Sequence, residues 1–534
     1  MNTAWHFICC HNRETDSDET EEQIIKPRKN DDGLLELDLS GRKMSSLPDQ
    51  VFQQHDIQAL NFQRNIIKVI PTDIGLLFQL RYLDISCNKL SHLPDSISSL
   101  SNLEELNISG NTIQVFPKGM ENMQALKVLI YRNNSLVTIP EQVFSFRSIE
   151  ELDVSDNELS EVFPLIGNLL SLKVLNLRWN QSLQTLPQEL CQLSDLEELN
   201  LSVCDLGYLP GNIGNLKKLR ILHLSCNRIS SLPESVFKSL VNLEELNLCD
   251  NSITEIPESI SNLKKLKHLK VFDNQLVRLP LSIVELTELQ TLDVACNSIT
   301  SLPDNCIGLY TLPEFFDIHH PSAILLSHNR IKAFSVSSPV VGPSRLTHLD
   351  LSHNLLSALP EEIHLLSKLR ILNVSHNKLQ SIPPGVHELL SLEIFNMSYN
   401  SVQQLPATKF PNLKHLDFSY NKFQMIPEGV LQTQSLIYLN LLENNIASFP
   451  VDIARLTNLN TLCWDIKRLQ DLSHVSELKT MPWKNIEWTV TVKCNDNPTS
   501  ARTGAHFIAR KDDGYLKVTI DTKEMTEGAY PYLP

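Results

Sequence analysis

Apolar residues recur along this chain in two alternating rhythms. In Leu93 to Asn111, LPDSISSLSNLEELNISGN, an L-P step leads into Ile97, Leu100 and Leu103, three residues apart as on one helical face. Leu106-Asn107-Ile108 then alternates as a strand does, with the two apolar residues turned inward. The wording returns about every 23 residues, each time closing on an asparagine or a stand-in in the frame L-x-L-x-x-N. The series runs Asn65, Asn88, Asn111, Asn134, Asn157, Asn180, Cys204, Asn227, Asn251, Asn274, Asn297, Asn329, Asn354, Asn377, Asn400, Asn421 and Asn444. With Arg42 and Lys467 at the ends this makes nineteen repeats. A single repeat has too few apolar residues to bury a face alone, so the period predicts stacked repeats and a function spread over a long surface.

Copies of the alternating part are expected to pair in parallel at about 4.8 Å per repeat, giving a continuous sheet on the concave side of a curve. The asparagine lies among apolar residues, where an unpaired amide costs roughly 1–3 kcal/mol. It must therefore be paired, and stacked amides can satisfy the backbone of successive turns as a ladder. Cysteine at 204 is a variant of that position. Arg42 and Lys467 are not, and they read as capping repeats with an open edge. A proline follows most strands, for example Pro94, Pro187 and Pro280, where it stops pairing and sends the chain into a short helix.

The frame L-P-x-x-I-x-x-L-x-x-L-x-x-L-x-L-S-x-N-x-L resembles intracellular leucine-rich repeats of suppressor-of-Ras scaffolds, scribble/erbin polarity proteins and plant Ras-group leucine-rich proteins. The resemblance covers residues 33–470. It implies an α/β solenoid, a horseshoe with a parallel concave β-sheet, and a non-catalytic scaffold binding a Ras-type small GTPase and its signalling complex. A cortical polarity or adhesion scaffold, or a regulatory subunit of a protein phosphatase, is the alternative it leaves open.

The net charge of −16 argues against nucleic acid, which needs a basic stripe. No 18-residue apolar run exists to span a membrane. Residues 1–32 read as a flexible acidic leader in which Cys9 and Cys10 offer a palmitoylation site, and so a peripheral hold on a membrane. Eleven cysteines scattered singly point to a reducing, cytoplasmic setting. Cys87, Cys226 and Cys296 are expected at outward strand positions. The N-x-S/T sequons largely coincide with the strand wording and are set aside as by-products of the repeat.

Two stretches break the rhythm. Asn297 to Asn329 spans 32 residues, marking an insertion near 305–345. After residue 470 the repeat gives way to short alternating runs, Trp488/Val490/Val492, Phe507/Ala509 and Leu516/Val518/Ile520, which predict a small antiparallel sheet in 471–534. Trp464, Trp483 and Trp488 gather there and are expected to cover the end of the core or to belong to a separate module. Lys484 to Trp488 fits a loose docking pattern for phosphatase catalytic subunits.

No phosphate loop, zinc-binding H-E-x-x-H, C-x-x-C pair or nucleophile elbow is present, so no catalytic residue, metal or cofactor is assigned. Asp38, Asp84, Asp153, Asp293, Asp350 and Asp417, each four residues before the ladder, are expected to form an acidic wall facing partners. His328, His353 and His376, continued by Tyr399 and Tyr420, stand just before the ladder about 5 Å apart, a spacing open to a metal or a pH response. Candidate partner-binding residues are outward positions departing from the usual Ser/Asn/Asp: Ile130, Arg132, Arg178, Trp179, His223, Lys270 and Phe272. Exposed Trp, Arg and Phe are residue types that dominate protein interfaces.

Overall fold

A computed structural model describes residues 26–303, 322–336 and 345–463 apart from 408, 447–452 and 454, with the backbone of strands 488–490, 506–512 and 515–521. Two compact bodies are distinguished, Met1–Ile130 and Tyr131–Pro534. The N-terminal body carries β2 (Leu35–Asp38), β3 (Ala59–Asn61), β4 (Tyr82–Asp84), β5 (Glu105–Asn107) and β6 (Val128–Ile130), all parallel. The capping edge is not open: β1 (Arg28–Lys29), within the expected leader, pairs antiparallel with β2.

The C-terminal body continues the pattern with β7 (Glu151–Asp153), β8 (Val174–Asn176), β9 (Glu198–Asn200), β10 (Ile221–His223), β11 (Glu245–Asn247), β12 (His268–Lys270) and β13 (Thr291–Asp293). It goes on through β14 (Ser322–Leu325), β15 (Leu346–Asp350), β16 (Ile371–Asn373), β17 (Ile394–Asn396), β18 (His415–Asp417), β19 (Tyr438–Asn440) and β20 (Thr461–Cys463). All pair in parallel, and the sequence offset between β13 and β14 leaves them in register at Leu292 and Ile324. β14 itself lies within the stretch near 305–345; most of the rest of that stretch, with Lys467, Trp464, Trp483, Cys9 and Cys10, lies outside the described residues. A separate antiparallel sheet joins β21 (Trp488–Val490), β22 (His506–Asp512) and β23 (Tyr515–Asp521), as the alternating runs predict.

The short parallel strands carry their central apolar residue inward, leucine in most and Ile324 or Phe395 in β14 and β17. Leu93, Ile97, Leu100, Leu103, Leu106, Ile108 and Ile113 of one repeat are all buried. Between strands most repeats make one 3-10 turn, such as Asp95–Ser99, because a single turn leaves too little length for α-helical bonding. Proline stands at its N-cap, and the Pro94 carbonyl accepts the Ile97 amide at 3.1 Å. The missing proline N–H costs nothing there.

The asparagine ladder has the expected form. Asn111 Nδ2 lies 3.1 Å from the Ile85 carbonyl one repeat back, 3.1 Å from that of Ile108 and 3.2 Å from that of Ser109. Its Oδ1 accepts the Leu90 amide at 3.0 Å, again one repeat back. Asn180, fully buried, does the same with Val154, Leu177 and the Leu159 amide. Cys204 replaces these bonds with two weak sulfur contacts, 3.4 Å to the Leu177 carbonyl and 3.9 Å to that of Ser202. Arg42, in the cap, bonds only back to the Asp38 carbonyl through its guanidinium, while its amide donates to Asn65 Oδ1.

The acid row is not a wall of free charge. The Oδ1 of Asp84, Asp153, Asp350 and Asp417 accepts the amide two residues on, at 2.8–2.9 Å. Asn107, Asn200 and Asn396 do the same in other repeats. These are side-chain turns that start the chain's exit from the strand. Burial holds the carboxyls of Asp153, Asp293 and Asp417 above the usual range, which further removes them from a partner-facing role.

The exit ends in a left-handed residue immediately before the ladder. Cys87 has φ 53°, Asp156 55°, Trp179 61°, Val203 58° and Cys226 56°. Cys87, Cys226 and Cys296 thus sit in this turn, not on strands, and the first two are half-buried. Aspartate tolerates the conformation, whereas β-branched valine is strained in it.

Two stability measurements follow. Asn180→Ala should lower the urea-unfolding free energy by about 1–3 kcal/mol, while Cys204→Ala, with weaker bonds to lose, costs less; an unchanged midpoint for Asn180→Ala would mean that its amide is not structurally engaged. Val203→Asn should raise stability by about 1 kcal/mol by relieving the left-handed strain. A loss there would argue that Val203 is not left-handed.

Candidate partner-binding surface

The repeat sets three parallel rows on the solvent side of the C-terminal body's sheet. One row runs Asp153, Asn176, Asn200, His223, Asn247, Lys270, Asp293 across neighbouring strands. A second runs Glu151, Val174, Glu198, Ile221, Glu245, His268, Thr291. Residues leaving the strands, Arg178 and Phe272 among them, make a third, bordered by the left-handed row with Trp179.

The candidate residues fall into separate groups on these rows. Arg178 and Trp179 belong together: the guanidinium carbon stands 6.0 Å from the indole centroid, within cation–π range. The Asn176 turn orients the pair through its 3.1 Å bond to the Arg178 amide, and Trp179, left-handed in φ, is 44% exposed as a residue. Phe272 stands four repeats away on the Arg178 row, 39% exposed. Arg132 is exposed, with its positive charge beside Asp153. Ile130 closes β6 in the N-terminal body, half-buried.

Neither His223 nor Lys270 is without a partner. Both converge on Glu245 of the strand between them, which sequence reasoning passed over: His223 Nε2 lies 3.3 Å and Lys270 Nζ 2.9 Å from its Oε1. The hydrogen bond from His223, with the Lys270 bond and charge, holds the Glu245 carboxyl at about 2. The signal was the E-E-L-N wording at Glu244 to Asn247, which puts an acid one row from each basic side chain. The island's basic residues outside this cluster are Arg132 and Arg178.

Matches to known proteins agree with this geometry. The leucine-rich repeat region model matches residues 57–207, and the leucine rich repeat model matches 217–276, 322–379 and 367–423. A leucine-rich repeat protein of Leptospira interrogans is 30% identical over 71% of this chain and 95% of its own, with a TM-score of 0.58. The chain is a leucine-rich repeat protein. YopM from Yersinia enterocolitica is similar at 26% identity over 80% of this chain and 91% of its own, TM-score 0.58. A TDR receptor is similar at 25% identity over 82% of this chain and 87% of its own, with a TM-score of 0.58. No curated protein sequence matches the chain. Leucine-rich repeat folds serve generally as non-catalytic protein-binding scaffolds, and stacked repeats of this kind offer extended binding surfaces. No helix among the described residues is long and apolar enough to cross a membrane.

The Glu245 cluster gives a pH test of this leucine-rich repeat surface. Because its folded pKa is depressed, the stabilisation is complete above the ordinary glutamate value of 4.5 and lost as pH falls through about 2. Glu245→Gln should therefore lower Tm at pH 7 and by progressively less toward pH 3. A pH-independent difference would mean that the cluster is not ionic.

Proposed function

We propose that the protein is a non-catalytic scaffold that binds partner proteins on the open sheet face of its C-terminal body. The Arg178–Trp179 pair is the observation that carries this reading. A tryptophan in a left-handed turn is conformationally unfavourable by about 1–2 kcal/mol and, being exposed, brings no core packing in return. Arginine and tryptophan are also the residues that most often anchor interfaces. Arg132 and Phe272, on the same face, extend the surface beyond that anchor.

The resemblance to Ras-group repeats supports a Ras-type small GTPase as partner, and the scattered free thiols, such as exposed Cys296, support a cytoplasmic setting. The phosphatase-docking stretch lies almost wholly outside the described residues, and no observation on the sheet favours it.

Calorimetric titration with a Ras-type GTPase in both nucleotide states, beside affinity capture from native cells, tests the reading. The double variant Arg178→Glu/Trp179→Ala should weaken partner binding by at least about 2 kcal/mol with little change in Tm. Ala at Glu234 and Lys238, an ion pair on the helical side, should leave binding intact. Equal binding by the double variant would remove the sheet face as the site, and silence toward every GTPase would remove that partner class.

A further inference from the structure

The left-handed row takes a different character beyond β13. There it reads His328, His353, His376, Tyr399, Tyr420 and Glu443 in successive repeats, with φ between 51° and 54°. The five rings stack in one column: centroids are 3.9, 4.0, 4.0 and 4.0 Å apart and neighbouring planes differ by 9–12°. A shared backbone conformation repeated at the strand spacing brings them face to face. Their faces are covered by one another, so what they offer a ligand is a line of edges: ring nitrogens, C–H groups and phenol hydroxyls. The chelating arrangement that a metal needs is absent among the described residues.

Beside this column runs the row just after the ladder. It reads Arg330, Leu355, Lys378, Ser401, Lys422, Asn445, placing an exposed cation in every second repeat. Among the described residues none of the three cations has a carboxylate partner, whereas Arg228 on the same row pairs with Asp205 at 2.6 Å. The rows meet at a shallow hollow lined by His376, Lys378, Tyr399, Tyr420 and Glu443. The nearby strand acids are engaged, Asp350 with the Ser352 amide and Asp417 with that of Ser419. Glu443 closes the column at one end. Burial, with repulsion from His376 and His328, holds His353 at about 4, and burial lowers His376 as well, so these two central rings carry no charge near pH 7 beside the three cations.

Two repeats advance about 10 Å at the strand spacing. A polyproline II peptide rises about 3.1 Å per residue with three residues per turn, so its side chains at i, i+3 and i+6 lie on one side about 9.3 Å apart. We propose that this edge of β14 to β19 binds an extended acidic peptide of polyproline II form, with a carboxylate on every third residue meeting Arg330, Lys378 and Lys422. The ring edges give the backbone carbonyls between them hydrogen-bond donors and a flat support. Single-stranded nucleic acid is disfavoured because its bases need open ring faces, which the column lacks, and because the whole chain carries −16.

Fluorescence anisotropy on the full chain tests this with three labelled probes: a peptide of repeated Glu-Pro-Pro, one of equal length and composition with its glutamates adjacent, and oligo(dT). The spaced peptide should bind at least about tenfold tighter than the grouped one, and weaken as salt rises. Lys378→Glu should cost it about tenfold or more, Lys378→Gln less, with both variants checked for an unchanged melt. Arg178→Glu/Trp179→Ala should leave peptide binding intact, which separates this edge from the sheet-face reading. Equal affinity for the two peptides, tighter oligo(dT) binding, indifference to Lys378→Glu or no binding at all would each overturn the proposal.

Discussion

One side-chain amide per repeat carries the constraint on which the rest depends. With two protons and one oxygen it reaches carbonyls in its own repeat and both a carbonyl and an amide in the repeat before, as Asn111 does with Ile85 and Leu90. Neighbouring repeats are thereby held by polar bonds inside a core that is otherwise leucine and isoleucine. Because those bonds replace water on groups that the turn leaves unpaired, losing the amide costs more than its own net contribution. The position is correspondingly intolerant, and its one internal substitution, Cys204, keeps only two weak sulfur contacts.

Reaching that amide forces the backbone through a side-chain turn and then a left-handed residue, and this geometry creates the surface. The left-handed position is demanding in φ yet open to solvent, so its side chain is free to vary as long as the turn is paid for by the bonds on either side. Asp156, Asp250 and Asp273 use residues that accept the conformation. Trp179 and Tyr399 are bulkier residues that rarely adopt it, and both end in ring contacts that this alignment allows. The fold's internal bookkeeping thus sets one external row at which any chemistry can be displayed at a fixed spacing.

Much of this was legible in the order of residues. The ladder, the parallel strands and the one-turn helices after proline follow from period and burial, and the small C-terminal sheet from alternation at Phe507/Ala509 and Leu516/Val518. The strand-edge capping by Arg28–Lys29 was not legible, since two polar residues carry no periodicity. Nor were the turn role of Asp84 and Asp153 or the left-handed position of Cys87 and Trp179, because alternation within a three-residue strand does not show where the strand ends. His223 and Lys270 looked unpartnered because Glu245 lies on another row and becomes a neighbour only once the register is known.

Hydrogen exchange of Asn180→Ala against the parent chain tests the central coupling most directly. If the amide joins neighbouring repeats, exchange should accelerate both around residues 177–183 and one repeat back, around Leu159, whose amide loses its acceptor, while strands β14 to β19 keep their protection. Acceleration confined to residues 177–183, or no change at all, would contradict the ladder as the link between repeats.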